Sequence, residues 1–304
     1  MERPSNLELT GIHHVSNITA DARGNLDFYT RALGMRLVKK TVNQDDTSVY
    51  HLFYADGEGN PGTDVTFFDI PQSGRNHPGS GEVNEIALRV HGRDSIIWWQ
   101  DRFTHFGIDH SEVAVRDGRS VLRFTDPEGQ RLALVDDGAD APIPGGTPWA
   151  RATVPQRFGI RGLSSVTLST AEPDATLYVL VNLLGFRLTA KDHSTFTLET
   201  GKGGPNGTVY VEAAPMRAPA RLGRGGVHHV AFRVPTFETH EAWQRFLSEV
   251  GLAVTPVIDR FYFRSIYFRE PGGVLFELAT DEPGFATDES LDTLGESLAL
   301  PPFL

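Results

Sequence analysis

Two adjacent histidine pairs and one carboxylate among apolar neighbours are the residues of this chain best placed to do chemistry. His13 and His14 lie in Gly-Ile-His-His-Val-Ser-Asn-Ile (residues 11–18). His228 and His229 lie in Gly-Gly-Val-His-His-Val-Ala-Phe-Arg-Val (residues 225–234), which nearly repeats that phrase. Glu277 lies in Pro-Gly-Gly-Val-Leu-Phe-Glu-Leu-Ala-Thr (residues 271–280). The histidine phrases read as short β-strands, and the third as a Pro-Gly-Gly turn feeding a strand. Two histidines and a carboxylate on three strands could place a metal on a sheet face. A lone strand histidine is more often an ordinary hydrogen-bonded side chain, and Glu277 could pair with an arginine instead. Against this, an ionised carboxylate beside Val274, Leu275, Phe276 and Leu278 is costly unless paired or metal-bound.

The elements that must position these residues repeat. A strand at 11–18 is followed by a helical pattern at 25–33, with Leu26, Tyr29 and Leu33 on its apolar side and Gly34 as its C′ residue. Strands at 35–42, 48–54 and 65–70 complete a first βαβββ module. A second runs from 83–90 through a helix at 95–106 to 131–135. A third runs from 163–168 through 174–184 to 208–213, and a fourth from His228 through a helix at 240–250 to 277–279. In each, a glycine ends the helix about 20 residues after the reference position of the first strand: Gly34, Gly107, Gly185 and Gly251. Four copies of one unit predict an α+β fold.

Composition bounds the rest. A chain of 304 residues allows about two domains and a sizeable core. We divide it into a first domain at 8–137, a Pro/Gly-rich linker at 138–157, a second domain at 158–281 and an acidic tail at 282–304, whose apolar end is expected to pack back on the body. No apolar run is long enough for a membrane span, and the polar N-terminus lacks a signal peptide's apolar core, so a cytoplasmic site is expected. The absence of cysteine removes disulfides, thiolate ligands and thiol catalysis. A net charge of −11 without a basic cluster disfavours a nucleic-acid partner.

Aligning the copies audits the ligands. The first-strand position carries His14, Glu85, Ser165 and His229; the last-strand position carries, roughly, Phe67, Ala133, Val211 and Glu277. Only modules one and four supply a set, His14, His229 and Glu277, so one site per chain is expected. Those two modules should then face each other, leaving two and three as a metal-free partner.

Four such modules with inward ligands resemble the vicinal-oxygen-chelate superfamily, which includes glyoxalase I, bleomycin-binding proteins and extradiol dioxygenases. Closer phrases are Leu-Thr-Gly-Ile-His-His (residues 9–14), Tyr-His-Leu-Phe-Tyr-Ala-Asp (50–56) with Pro-Gly-Thr (61–63), and Asp259-Arg260…Tyr267-Phe-Arg-Glu-Pro-Gly-Gly-Val-Leu-Phe-Glu277. These look like the hydroquinone-type ring-cleaving dioxygenases across nearly the whole chain. The resemblance implies two tandem domains forming two cup-shaped mixed sheets, with iron bound by His14, His229 and Glu277. It also implies an arginine and a tyrosine near substrate, here Arg260 and Tyr267.

Two histidines and one carboxylate leave adjacent positions open on a six-coordinate ion, the facial triad of non-haem Fe(II) oxygenases. One Fe(II) per chain is expected, with Mn(II) fitting the same donors, O₂ as co-substrate and a small aromatic diol as substrate. Ser16 shares a strand face with His14 and could touch substrate. Arg260 could hold an oxyanion and Tyr267 donate a proton; a surface ion pair and a core tyrosine are the alternatives. His13 and His228 alternate away from the metal in a regular strand, and could serve as bases if a bulge turns them. His51 is ambiguous. A glyoxalase-like isomerase would show four protein ligands, and a metal-free binding protein would not need the triad. Exposed module edges would suit a homo-oligomer.

Overall fold

Four βαβββ modules follow one another in the computed structural model, which describes residues 3–138 and 141–304. Ala139 and Asp140, within the expected linker, lie outside the described residues. Module one holds β1 (Ile12–Thr19), α1 (Ala22–Asp27), β2 (Arg36–Asn43), β3 (Asp46–Ala55) and β4 (Asp64–Asp69). Module two holds β5 (Glu82–Val90), α2 (Arg93–Phe106), β6 (Ala114–Arg116), β7 (Arg119–Thr125) and β8 (Arg131–Asp136). Module three holds β9 (Leu163–Thr170), α3 (Pro173–Tyr178), β10 (Arg187–Asp192), β11 (Thr195–Glu199) and β12 (Thr208–Ala213). Module four holds β13 (Gly226–Val234), α4 (Phe237–Glu249), β14 (Ile258–Asp259), β15 (Phe263–Arg269) and β16 (Leu275–Pro283).

The modules pair across the halves of the chain. One eight-stranded sheet has the order β14-β15-β16-β13-β1-β4-β3-β2, and the other β10-β11-β12-β9-β5-β8-β7-β6. Modules one and four therefore share one curled sheet, and two and three the other, giving the expected α+β fold with two cups. The alternation of strand side chains sends Val15, Phe67, Val230 and Phe276 of the first sheet, and Ile86, Leu134, Val166 and Leu168 of the second, into one continuous helix-covered core. The opposite, concave faces carry His14, His229 and Glu277 in one cup and Glu85 in the other, beside smaller apolar clusters around Phe53 and Val121.

The helix-ending glycines all take positive φ: Gly34 (+70°), Gly107 (+67°), Gly185 (+79°) and Gly251 (+90°), the left-handed geometry that lacks a steric cost only without a Cβ. The apolar period of the first helix differs from expectation. Its last turn, Phe28–Ala32, is π-helical, which buries Phe28 with Tyr29 and leaves Leu26 exposed. The same turn recurs at Val179–Leu183 in module three, which supplies no member of the triad, whereas the helices of modules two and four are α-helical, so it does not track the chemistry.

The alignment of last strands also needs correcting. Ser16 pairs with Thr66 and Ala231 with Glu277, whereas Thr167 pairs with Tyr210. Thr66 and Tyr210, not Phe67 and Val211, are thus the equivalents of Glu277; a one-residue slip exchanges the faces of a strand. The tail packs back mainly through its middle. Phe285 and Leu294 are buried against Phe53, Tyr262 and Phe263, and the buried Lys39 binds Asp288 (2.7 Å) and Glu289. At the apolar end, Ala299 N–H bonds the Lys40 carbonyl at 2.9 Å, but Leu298, Leu300, Phe303 and Leu304 stay substantially exposed.

Candidate metal centre

β1, β13 and β16 lie side by side and bring three donor atoms to one point. Glu277 Oε2 lies 2.8 Å from His229 Nε2 and 3.2 Å from His14 Nε2, and the two nitrogens are 3.2 Å apart. Such spacings are those of neighbouring ligands at right angles on an ion with bonds of about 2.1 Å. All three residues are buried. Glu277 Oε1 accepts from the buried Ser265 hydroxyl at 2.5 Å, but Oε2 has no hydrogen-bond partner. A buried carboxylate oxygen without a donor is costly, and lone pairs from three residues aimed at one point fit a cation. Burial alone would raise the Glu277 carboxyl, yet the two adjoining rings hold it well below the usual carboxylate range. Burial lowers His229, against the opposing pull of Glu277.

Bulges orient both rings. Opposite β13, His14 faces Ala231 while Ile12 faces Phe232, so His13 is an extra residue; Ser16 faces His229 while Asn17 faces Val227, so His228 is another. Each bulge turns its histidine onto its neighbour, with His13 Nδ1 2.9 Å from His14 Nδ1 and His228 Nδ1 2.8 Å from His229 Nδ1. His13 Nε2 lies 3.1 Å from the Thr280 carbonyl. A carbonyl only accepts, so His13 carries its proton on Nε2, and its Nδ1 accepts from His14 Nδ1–H. This leaves a lone pair on His14 Nε2, the arrangement that orients histidine ligands. Burial pulls His13 down to about 3, so it is neutral at ordinary pH.

A cavity of about 460 Å³ opens beside the triad, walled by Ile18, Phe53, Phe68, Ile70 and Leu275, a size and character suited to a small aromatic ligand. Ser16, Arg260, Tyr267, His228 and the undecided His51 all line it; His13 is sealed behind His14. The Ser16 and Thr66 hydroxyls are 2.8 Å apart, and His51 Nε2 lies 2.9 Å from Thr66 Oγ1. Tyr267 sits edge-on to the His229 ring at 5.6 Å, and burial pushes its hydroxyl up, so it stays protonated. Arg260 lies over the Tyr267 ring at 5.5 Å and is paired to Asp45; it is an ion-pair residue and a cavity residue at once. Sequence reasoning missed Ser265, Thr66 and Asp45. Alternation from Tyr267 points to Ser265, whereas Asp45 lies far away in the chain and carries no local signal.

Comparison with known proteins follows this geometry. The Glyoxalase/Bleomycin resistance protein/Dioxygenase superfamily model matches residues 11–134 and 162–278. The chain belongs to that superfamily. Among its members, the chain is 44% identical to "Putative ring-cleaving dioxygenase MhqA" of Bacillus subtilis (strain 168), over 98% of this chain and 95% of the other. It is 32% identical to "Chlorohydroquinone/hydroquinone 1,2-dioxygenase" of Sphingobium indicum, over 100% of this chain and 94% of the other. A crystal structure of a "putative dioxygenase" from Bacillus subtilis superimposes with a TM-score of 0.89 at 35% identity, over 97% of this chain and 92% of that one. Glyoxalase I of Zea mays, at 16% identity and a TM-score of 0.64 over 89% of this chain and 92% of that one, shares the superfamily's fold. The expected enzyme class, dioxygenase, is borne out by these relatives. No helix among the described residues is long and apolar enough to cross a membrane.

Proposed function

We propose that this chain is a metal-dependent, extradiol-type dioxygenase that opens the ring of hydroquinone- or catechol-like aromatics with O₂. The observation that carries the reading is the convergence of His14, His229 and the unpartnered Glu277 Oε2. These three residues would hold one Fe(II), with Mn(II) compatible with the same nitrogen and oxygen donors. Bound there, the ion would supply a redox-active Lewis acid with positions open to a substrate oxygen and to O₂.

The chain's own groups would do the rest. Apolar walls bind the ring and exclude water. The Tyr267 hydroxyl, kept protonated by burial, is a proton donor beside the triad. Arg260 offers charge to a phenolate oxygen. His14 and His229 must present Nε2 lone pairs to a metal. His229 Nδ1–H then donates to His228 Nδ1, so His228 shows an Nε2–H to the cavity. His228 is on this reading a donor to substrate and not the base expected from sequence. His13, sealed against Thr280, only orients His14. A para-diol cannot chelate through both hydroxyls, so it depends on these groups more than a catechol does.

The test is elemental analysis together with oxygen uptake and ¹⁸O₂ labelling on hydroquinone and catechol, without added reductant. One metal per chain and a ring-opened acid carrying both labelled atoms are expected. Isomerisation of a glutathione hemithioacetal with no labelled product from any diol would overturn the reading.

A further inference from the structure

One turn crosses the mouth of the cavity. β2 and β3 pair with Asn43 opposite Asp46, so Gln44 and Asp45 alone form the tip of their hairpin. Both tip residues hold the same residue on the far side. Gln44 Nε2–H donates to the Arg260 carbonyl at 2.8 Å, and the two terminal guanidinium nitrogens of Arg260 donate to the Asp45 carboxylate at 3.0 and 2.8 Å. β2 is one edge of the sheet, and Arg260 immediately follows β14, the other edge. The contact therefore joins edge to edge across the concave face, and Gln44, Asp45, Arg260 and Tyr267 all line the cavity beneath it.

The pair is lopsided in exposure: the Asp45 side chain is 69% exposed and that of Arg260 15%. Exposed pairs contribute little to fold stability, whereas a bidentate fork fixes the direction of a guanidinium. Arg260 is also held from its own side. Phe261 adopts φ +70°, which a bulky residue takes only when its surroundings impose it. Phe261 N–H donates to Asp259 Oδ1 at 2.8 Å, and the Tyr262 hydroxyl donates to Asp288 of the tail at 2.8 Å. From this anchored turn the guanidinium reaches over the Tyr267 ring, which abuts His229. A contiguous series of side chains thus runs from the exposed tip of module one to the triad.

We propose that Asp45 is a positioning residue, which fixes the Arg260 guanidinium over Tyr267 and, with Gln44, latches the cavity mouth over bound substrate. This rests on the reading of Arg260 and Tyr267 as groups that handle substrate. Two readouts separate it from that reading. The first is chemical: phenylglyoxal modification of Arg260, followed by mass spectrometry of the holoenzyme. Asp45→Asn should free the guanidinium and speed its modification about tenfold or more, as loss of charge-assisted hydrogen bonds implies. The second is kinetic: KM for hydroquinone should rise about tenfold in Asp45→Asn for the same reason, with metal content and melting temperature as in the wild type. Asp45→Glu should recover most of both. Equal modification rates in wild type and Asp45→Asn would overturn the proposal. So would activity that falls only in step with melting temperature and is not rescued by Asp45→Glu. A wild-type enzyme that consumes no diol would sink the functional reading, while the modification rates would still decide whether Asp45 holds Arg260.

Discussion

At the floor of one cup stand His14, His229, Thr66 and Glu277; at the equivalent places in the other stand Glu85, Ser165, Ala133 and Tyr210. Strand order matches, and so do the irregularities. The bulges at His13 and His228 have counterparts at Asn84 and Ser164. The scaffold is therefore the same, and the difference lies in where positive charge comes from. Glu85 is paired with Arg116 at 3.2 Å and Arg123 at 2.8 Å, and the Arg116 guanidinium lies over the Tyr210 ring at 3.3 Å. That cup balances its carboxylate from within its own chain. The triad cup sets its carboxylate against two histidine rings, with no arginine or lysine paired to it among the described residues, and leaves one oxygen without a donor. A bulge that in one cup turns a histidine onto a member of the triad only bends a strand in the other, so the bulge alone is no mark of function.

The largest effect should break the comparison outright. His229→Ala should abolish metal binding and oxygen uptake, while Glu85→Gln leaves both as in the wild type; elemental analysis with an oxygen electrode reads the two together. Metal retained in full by the His229→Ala protein would remove the distinction between the cups. Next, Tyr267→Phe should keep its metal and lose turnover by roughly 10²–10⁴-fold, the usual worth of a proton-transfer group, measured as kcat on hydroquinone.

Acid should also tell the cups apart. Between its ordinary value of 6.5 and about 3, His13 is protonated in the unfolded chain and neutral when folded. The unfolded state thus binds the extra proton, and stability of the metal-free protein should fall as pH drops through that window. The slope from this group is on the order of 1.4 kcal/mol per pH unit. Denaturant titrations across pH should show His13→Asn flattening the decline, because the equivalent Asn84 of the partner cup does not titrate. The smallest effect belongs to Glu85→Gln, which weakens two partly exposed pairs and should cost about 1 kcal/mol, read as a lowered denaturation midpoint.

Much of this was legible because it is periodic or local. The glycines after each helix and the two His-His phrases are spaced by the module itself, and they led to four units and to His14, His229 and Glu277. The register of the last strands was not legible. Phe67 and Val211 fit an apolar strand as well as Thr66 and Tyr210 fit a concave face, and only pairing decides between them. The π-turn at Phe28–Ala32 was hidden because one inserted residue changes which side chains are buried without changing their character. The roles of His13 and His228 differ although their phrases match, since one ring meets the Thr280 carbonyl and the other the cavity. The grip of Asp45 on Arg260 spans 215 positions of sequence, beyond any local pattern.

The exchange of modules between sheets bears on how the molecule is made. β1 waits for β13, and His14 for a histidine 215 residues further on. During synthesis the first half emerges with the β1 edge unpaired, a template for wrong partners, and the triad is complete only once the last module has arrived. A metal held by these three residues would therefore load at the end of folding and would not nucleate it. The pairing is also between equivalent strands, antiparallel, as in a contact between two identical subunits. Two copies of a half-length ancestor could have built two like cups in the same way. Joining them end to end would have freed one cup to give up its ligands while the other kept them.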